Sequence, residues 1–494
     1  MFNKILIANR GEIAVRVMNT CKEMNISTVA IYSDADVDAR HRLTADESFY
    51  IGKSEPSDSY LNIDKIIDAA KKTGSEAIHP GYGFLAENAA FALECENQGI
   101  TFIGPPSDVI SNLGDKTKAR RIMEKSNVPV IPGMTYAAED MDTMANEGDN
   151  IGWPVMIKAA AGGGGKGMRI VNSKQEMADA CAAASREAES AFGDNSIYLE
   201  KFISRARHIE FQILADNFGN TIHLFERECS IQRRHQKIIE ETPSTSLSPD
   251  LRERMGKAAV LAAKASGYVN AGTVEFLLEP DGNFYFLEVN TRLQVEHPVT
   301  EMITAIDLVK KQIEIAAGKK LTIAQNDISA KGHAIECRIY GEDPEKSFFP
   351  SSGKIIFMKE PSGPGIRCDS GIHSGFTVPV DYDPILSKLI VHSQTRNEAI
   401  NRMIKALSEY AVLGVKTNIH FLMDILKSDD FNAGKTYTDF IESNFSDWEP
   451  GYHDADIACI AFIADDLSPK TKISGSAEEQ FPEPWKALSN WRIA

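Results

Sequence analysis

The sequence predicts an α/β fold that gives way to α+β, and three patterns predict it. From residue 1 to about 117, short apolar runs alternate with amphipathic stretches of helical period, as in a parallel sheet covered by helices. Between residues 155 and 288 strand-like runs come in pairs closed by turn residues, which reads as hairpins. From residue 331 to about 445 strands dominate, before a helix over 397–410.

Residues 5–8 read as the first strand, 13–24 as a helix, 28–33 as a strand, 63–72 as a helix, and 77–79 and 101–103 as further strands. Asn9-Arg10-Gly11-Glu12 lies where a helix opens, a place that can hold anions. It lacks the G-x-G-x-x-G pattern of dinucleotide sites, so it reads as a structural turn. The segment from His79 to Asn88 contains Pro80, Gly81 and Gly83 directly after a strand. A ligand-facing loop and a plain turn are both open there.

With 494 residues, 43% of them hydrophobic, the chain can bury several cores, and its length suggests roughly two to four domains. A net charge of −17 argues against a nucleic-acid or anionic-membrane surface, so any phosphate chemistry must use locally gathered Lys and Arg. No apolar run reaches the ~18 residues of a membrane span. Met1 leads directly into a strand-like run, leaving no room for a secretory signal. Seven scattered cysteines without a C-x-x-C pair read as reduced thiols of a cytoplasmic protein.

The chemistry concentrates in the middle. A strand over 155–158 is followed by Gly162-Gly163-Gly164-Gly165-Lys166-Gly167-Met168 and a returning strand over 169–171. Glycines let backbone N–H groups close over phosphate oxygens while lysine adds charge. Bracketed by strands, the run reads as a hairpin tip or lid rather than a linker, and its spacing is not that of a P-loop. Residues 198–203 form another strand, ligand-facing or simply amphipathic. Gln232, Arg233, Arg234, His235 and Lys237 place five anion donors together, which in so acidic a chain points to an oxyanion or phosphate site.

A turn at Pro280-Asp281-Gly282-Asn283 sets Glu275 across a hairpin from Glu288. Alternation puts Glu288 and Asn290 on one face, a donor set suited to a hard cation. If the extended run continued, Arg292, Gln294 and Glu296 would join that face, enough to bind an anion beside a metal and deprotonate it. An exposed polar strand is the alternative. Residues 333–340 alternate cleanly and align Glu336, Arg338 and Tyr340.

The ordered set of Ala8 to Ala14, His79 to Asn88, Gly114-Asp115-Lys116, the glycine run, Gln232 to Lys237, Asn290 to Glu301 and Glu336-Cys337-Arg338 closely resembles biotin carboxylase over about residues 1–445. The resemblance implies a doubly wound parallel α/β domain over 1–115, an ATP-grasp domain over 116–330 with a mobile glycine-rich lid at about 130–203, a strand-rich C-terminal domain over 331–446 and a tail over 447–494. It implies that ATP phosphorylates bicarbonate and that the carboxyphosphate formed carboxylates the ureido N1 of biotin. By resemblance, Lys116, Lys158, Gly164, Gly165, Glu200, Lys201, Phe202, Ile203, His208 and His235 match ATP-contacting positions. Glu275, Glu288 and Asn290 match ligands of Mg²⁺ or Mn²⁺, the two glutamates also bordering ATP. Lys237, Arg292, Gln294 and Val295 match the bicarbonate pocket, and Glu296 matches the general base. Arg338 matches the guanidinium that stabilises charge on the biotin ureido oxygen, and Tyr82 a residue near biotin.

Two departures from the family pattern stand out, the first affecting a local hydrogen bond and the second bearing on partners. Ala86 stands where serine is common, and no Met-Lys acceptor sequence for biotin occurs; Met358-Lys359 is followed by Glu360 inside a strand-like run. Biotin is therefore expected on a separate carrier protein, with a separate carboxyltransferase, and the resemblance suggests a homodimer. The tail holds Ile457, Ile460, Ala461 and Ile463 at near-helical spacing, then Trp485 and Trp491. It reads either as a docking segment for partner subunits or as chain packed on its own core. Another ATP-grasp ligase would not need the bicarbonate and biotin residues, and a silent scaffold would not need Glu275, Glu288, Arg292 and Glu296. For the final acceptor, residues 363–367 and 378–384 resemble acyl-CoA carboxylases (acetyl-CoA or propionyl-CoA) more than pyruvate carboxylases.

Overall fold

Strand Lys4–Ile7 lies inside a five-stranded parallel sheet ordered Glu47–Gly52, Ser27–Ser33, Lys4–Ile7, Ala77–His79, Thr101–Phe102. The computed structural model describes residues 1–137, 141–160 and 167–451. Met1–Trp448 is one unit and Glu449–Ala494 another. Of the second only residues 449–451 are described, so the tail segment with Trp485 and Trp491 lies outside the described residues, as do Gly164 and Gly165. Among the described residues no helix is long and apolar enough to cross a membrane.

The parallel sheet winds to one edge, returns to Lys4–Ile7 and winds to the other through Ala77–His79, and loops leaving strands at such a reversal diverge to open a crevice. Asn9 spans that crevice: its Nδ2 donates to the carbonyls of Pro80 and Tyr82, each at 2.7 Å. Helix Gly11–Glu23 buries Ile13, Ala14, Val17, Met18 and Cys21, a stripe at helical spacing. Edge strand Glu47–Gly52 was not legible as a strand because it buries only Ile51.

Strands Arg169–Val171, Val155–Ala159 and Ile197–Lys201 form a small antiparallel sheet. Helices Met141–Ile151 and Met177–Phe192 flank it, around a core of Val155, Ile157, Val171, Met177 and Leu199.

The largest sheet has eight strands, ordered Phe284–Asn290, Asn270–Leu278, Arg207–Ala215, Thr221–Arg233, Gln236–Thr242, His333–Tyr340, Ile385–Ser393, Ile366–Ser370. Its pairs are antiparallel. Gln236–Thr242 pairs with His333–Tyr340, so hydrogen bonding runs unbroken past residue 331. Glu241 ties this junction to the closing helices. Its carboxylate accepts from Arg396 Nε at 2.7 Å and Nη2 at 3.0 Å and lies 2.7 Å from His333 Nε2. Arg396 also donates to the carbonyls of Phe431 and Asn432.

A second seam joins the large sheet to the first helix. Lys388, fully buried, donates to the Val295 carbonyl at 2.8 Å and lies 3.2 Å from Glu12 Oε1. At Gly371 a Cβ would stand 2.6 Å from the Glu12 nitrogen and 2.9 Å from the Gly11 Cα, so only glycine allows this approach.

Candidate active site

The large and small antiparallel sheets face each other across a cavity of about 370 Å³. Of the residues singled out in the sequence, Lys116, Lys158, Glu200, Lys201, Phe202, Ile203, His208, His235, Lys237, Glu275, Glu288, Asn290, Arg292, Gln294, Val295 and Arg338 line it. Glu296, fully buried, stands behind Lys237 and Arg338. Tyr82 is not among the lining residues; its hydroxyl bonds to Glu12, and its ring lies 5.8 Å from Lys388 Nζ.

One end of the cavity is apolar. Ile131, Met156, Met168, Leu277 and Leu287 join Phe202 and Ile203 there, a slot that suits a flat heteroaromatic base. Leu277 was readable in principle, two residues from Glu275 on the same strand face. Leu287 was not: pairing jumps from Glu275↔Glu288 to Phe276↔Phe286, and that irregularity re-aims the chain so that both Leu287 and Glu288 reach the cavity. Next to the slot, Lys158 pairs with Glu200, which also accepts from Arg120 Nη1 and Tyr198 Oη, each at 3.1 Å. Burial would raise the Glu200 carboxyl, but Lys158 and Arg120 outweigh it and hold it low. Lys201 turns its ammonium to the carbonyls of Gly152 and Trp153, at 2.7 and 3.0 Å.

The opposite end is a dense charge network around Lys237. Its Nζ contacts Glu210 at 2.6 Å, Glu296 at 2.7 Å and Glu275 at 2.9 Å. Behind Glu210 the fully buried Arg227 donates to Glu210, Gln212, Thr300 and Thr273. Burial pushes the Glu296 carboxyl up, yet Lys237, Arg338 and Arg227 together bring it well below the usual carboxylate range. Glu296 is thus an ionised acceptor out of bulk water, aimed by Lys237 on one oxygen and by Arg338 Nη2, at 3.0 Å, on the other. Arg338 Nε donates to Glu240 at 2.6 Å.

Two expectations are corrected. The extended run stops at Asn290, because Arg292 folds back onto Asn290 Oδ1 and Gln294 Oε1, and helix His297–Thr304 opens with Pro298 in its first turn. Arg292, Gln294 and Glu296 converge by turning rather than by strand alternation. The five donors of residues 232–237 also divide. Gln232, His235 and Lys237 reach the cavity, while Arg233 lies over the Phe348 ring at 4.2 Å and pairs with Glu342 at 3.6 Å. Arg234 is not among the lining residues; with His235 it forms a two-residue turn at φ +50° and +67°, the left-handed geometry of a tight hairpin.

Glu275 and Glu288 are direct cross-strand partners, and Asn290 Nδ2 donates to Glu275 Oε1 at 2.9 Å. Burial and the Glu275 charge raise the Glu288 carboxyl, a cost that a bound cation would offset. A buried and a half-buried carboxylate with an amide oxygen beside them fit Mg²⁺ or Mn²⁺. A second grouping, His208, Glu210 and Glu275, has ligand atoms within 4.8 Å of one another, but Arg227 and Lys237 already hold the Glu210 oxygens.

Family comparisons agree with this geometry. Residues 1–110 match the biotin carboxylase N-terminal domain, residues 115–324 the ATP-binding domain of the carbamoyl-phosphate synthase L chain, and residues 336–443 the biotin carboxylase C-terminal domain. The chain belongs to the biotin carboxylase family. Among biotin carboxylase relatives, a pyruvate carboxylase subunit of Methanothermobacter thermautotrophicus is 55% identical over 442 residues, 90% of each chain. The alpha subunit of the mitochondrial methylcrotonoyl-CoA carboxylase of Dictyostelium discoideum is 47% identical over 99% of this chain and 70% of its own. The biotin carboxylase domain dimer of Hydrogenobacter thermophilus 2-oxoglutarate carboxylase, solved with MgADP and bicarbonate, superimposes with a TM-score of 0.88. It is 49% identical and covers 90% of this chain and 98% of that one.

Proposed function

We propose that the chain carboxylates the ureido N1 of biotin, held on a separate carrier protein, using ATP and bicarbonate through carboxyphosphate. The observation that carries this reading is Glu296, an ionised, solvent-excluded carboxylate held directly behind Lys237 and Arg338, which line a nucleotide-sized cavity. The apolar slot holds the base, Lys116, Lys158 and His235 face the phosphates, and Glu275, Glu288 and Asn290 hold Mg²⁺ or Mn²⁺. The cation, when bound, supplies charge neutralisation for the transferring phosphoryl group.

Lys237, Arg292, Gln294 and the Val295 backbone hold bicarbonate. Glu296 takes the bicarbonate O–H proton as its oxygen bonds to the γ-phosphorus, while the bond to ADP breaks and its electrons leave with ADP. Carboxyphosphate then breaks its C–O bond, the departing phosphate takes the N1 proton and N1 bonds to the carboxyl carbon, while Arg338 faces the ureido oxygen, with Tyr82 beside biotin. The segment at about 130–203, which carries the small sheet, is read as the lid, and the glycine run within it as the cover over the phosphates.

For the acceptor, an acyl-CoA is favoured by the motifs at 363–367 and 378–384 and by the methylcrotonoyl-CoA carboxylase match, which runs along 99% of the chain. Pyruvate is the second reading, favoured by the 55% identity to a pyruvate carboxylase subunit. A second copy of the chain, the biotin carrier and a carboxyltransferase are the proposed partners, in the cytoplasm, with residues 447–494 as the docking segment. The test is ATP hydrolysis by the purified chain with Mg²⁺, with and without bicarbonate, then with free biotin. Bicarbonate-dependent turnover that rises with biotin is expected; turnover indifferent to bicarbonate would move the search to another ATP-grasp substrate.

A further inference from the structure

Arg338 is shared between two carboxylates on different segments: Nε donates to Glu240 at 2.6 Å and Nη2 to Glu296 at 3.0 Å. In the reaction proposed above, on which this inference rests, these two anchors behave differently. Glu296 gains the bicarbonate proton and becomes neutral, so its bond to Arg338 loses the ion-pair attraction and keeps only the assistance of the guanidinium's own charge. Glu240 takes no part in that step.

We infer that Glu240 is a positioning residue that keeps Arg338 aimed at the biotin oxygen when Glu296 becomes neutral, so that bicarbonate deprotonation itself releases Nη2 for the second half of the reaction. The neighbourhood of Glu240 supports a dedicated anchor. Register sets it directly across from Glu336, and both are fully buried. Among the described residues, Glu240 Oε2 and both Glu336 oxygens have no hydrogen-bond partner. Two adjacent buried carboxyls do not both ionise. A proton held on Glu336 gives Glu240 Oε2 its missing donor and leaves the Glu240 charge facing Arg338. Burial raises both carboxyls, Glu240 to about 7 and Glu336 well above its ordinary value.

The experiment uses the full chain with Mg²⁺, ATP and bicarbonate, and free biotin as the probe. It measures biotin-independent, bicarbonate-dependent ATP hydrolysis and the increment that biotin adds. Glu240→Gln is expected to lower the increment by about tenfold or more, through kcat, as loss of a charged hydrogen bond would, while the bicarbonate KM stays near wild type and the biotin-independent rate falls far less. Glu240→Asp, which keeps the charge, is expected to recover part of the increment. If Glu240→Gln does not fold, Glu240→Asp carries the test: its shorter side chain draws the carboxylate back from Arg338 Nε and should show a smaller loss confined to the biotin increment. Both rates falling in parallel, or an increment that survives, would overturn the inference. A wild type with no bicarbonate dependence or no biotin increment would overturn the proposed reaction, and the inference with it.

Discussion

Lys237 is the residue on which the polar end of the cavity depends. One ammonium faces Glu210, Glu275 and Glu296, and removing it would leave three buried carboxylates without their common counter-charge. Lys237→Met is expected to abolish bicarbonate-dependent ATP hydrolysis and to lower the urea midpoint. Glu296→Gln keeps the shape and removes the proton acceptor. Its bicarbonate-dependent rate is expected to fall by about 10²- to 10⁴-fold, while nucleotide binding, read by calorimetry, stays near wild type. At this scale most of the polar residues that line the cavity were legible in the motifs because chemistry restricts their types. Their supports were not. Glu240 meets Arg338 across 98 residues of chain and Thr300 meets Arg227 across 73, and no local pattern marks such pairs.

At the scale of elements, the staple at Glu241 joins a sheet strand, its neighbour and a helix start. Burial would raise this carboxyl, but the hydrogen bonds from His333 and Arg396 lower it from 4.5 to about 2. The sign follows from linkage: the stabilisation is whole above about pH 4.5 and is lost as pH falls toward 2. Glu241→Gln is expected to cost about 3 kcal/mol at neutral pH, and the gap from wild type to narrow in urea titrations repeated below that range. The elements read from periodicity, such as Ser27–Ser33, Ile63–Thr73, His333–Tyr340 and Arg396–Glu409, form close to the expected bounds, while others, Thr221–Arg233 with its nearly continuous burial among them, were not read. The exceptions have physical causes: strand Glu47–Gly52 is an exposed edge, and the turn after Asn290 is set by contacts of Arg292 and by Pro298 rather than by residue spacing.

For the whole molecule, the sequence showed three strands of the largest sheet but not that eight strands share it, because its central pairing joins Ile239 to Cys337, 98 residues along the chain. Gly371 is where this sheet closes against the first helix. Gly371→Ala would force a methyl group onto backbone atoms that cannot move aside, and a loss of about 1–3 kcal/mol is expected from overpacking, read as a lower unfolding midpoint in urea. The same seam holds Lys388, whose amine is fully buried between Glu12 and the Val295 carbonyl. An amine-labelling reagent would reach surface lysines at once but Lys388 only when helix, strand and the loop carrying Val295 part company. The rate at which that one lysine is acetylated is therefore a clock for the opening of the joint that holds the Val295 backbone in place.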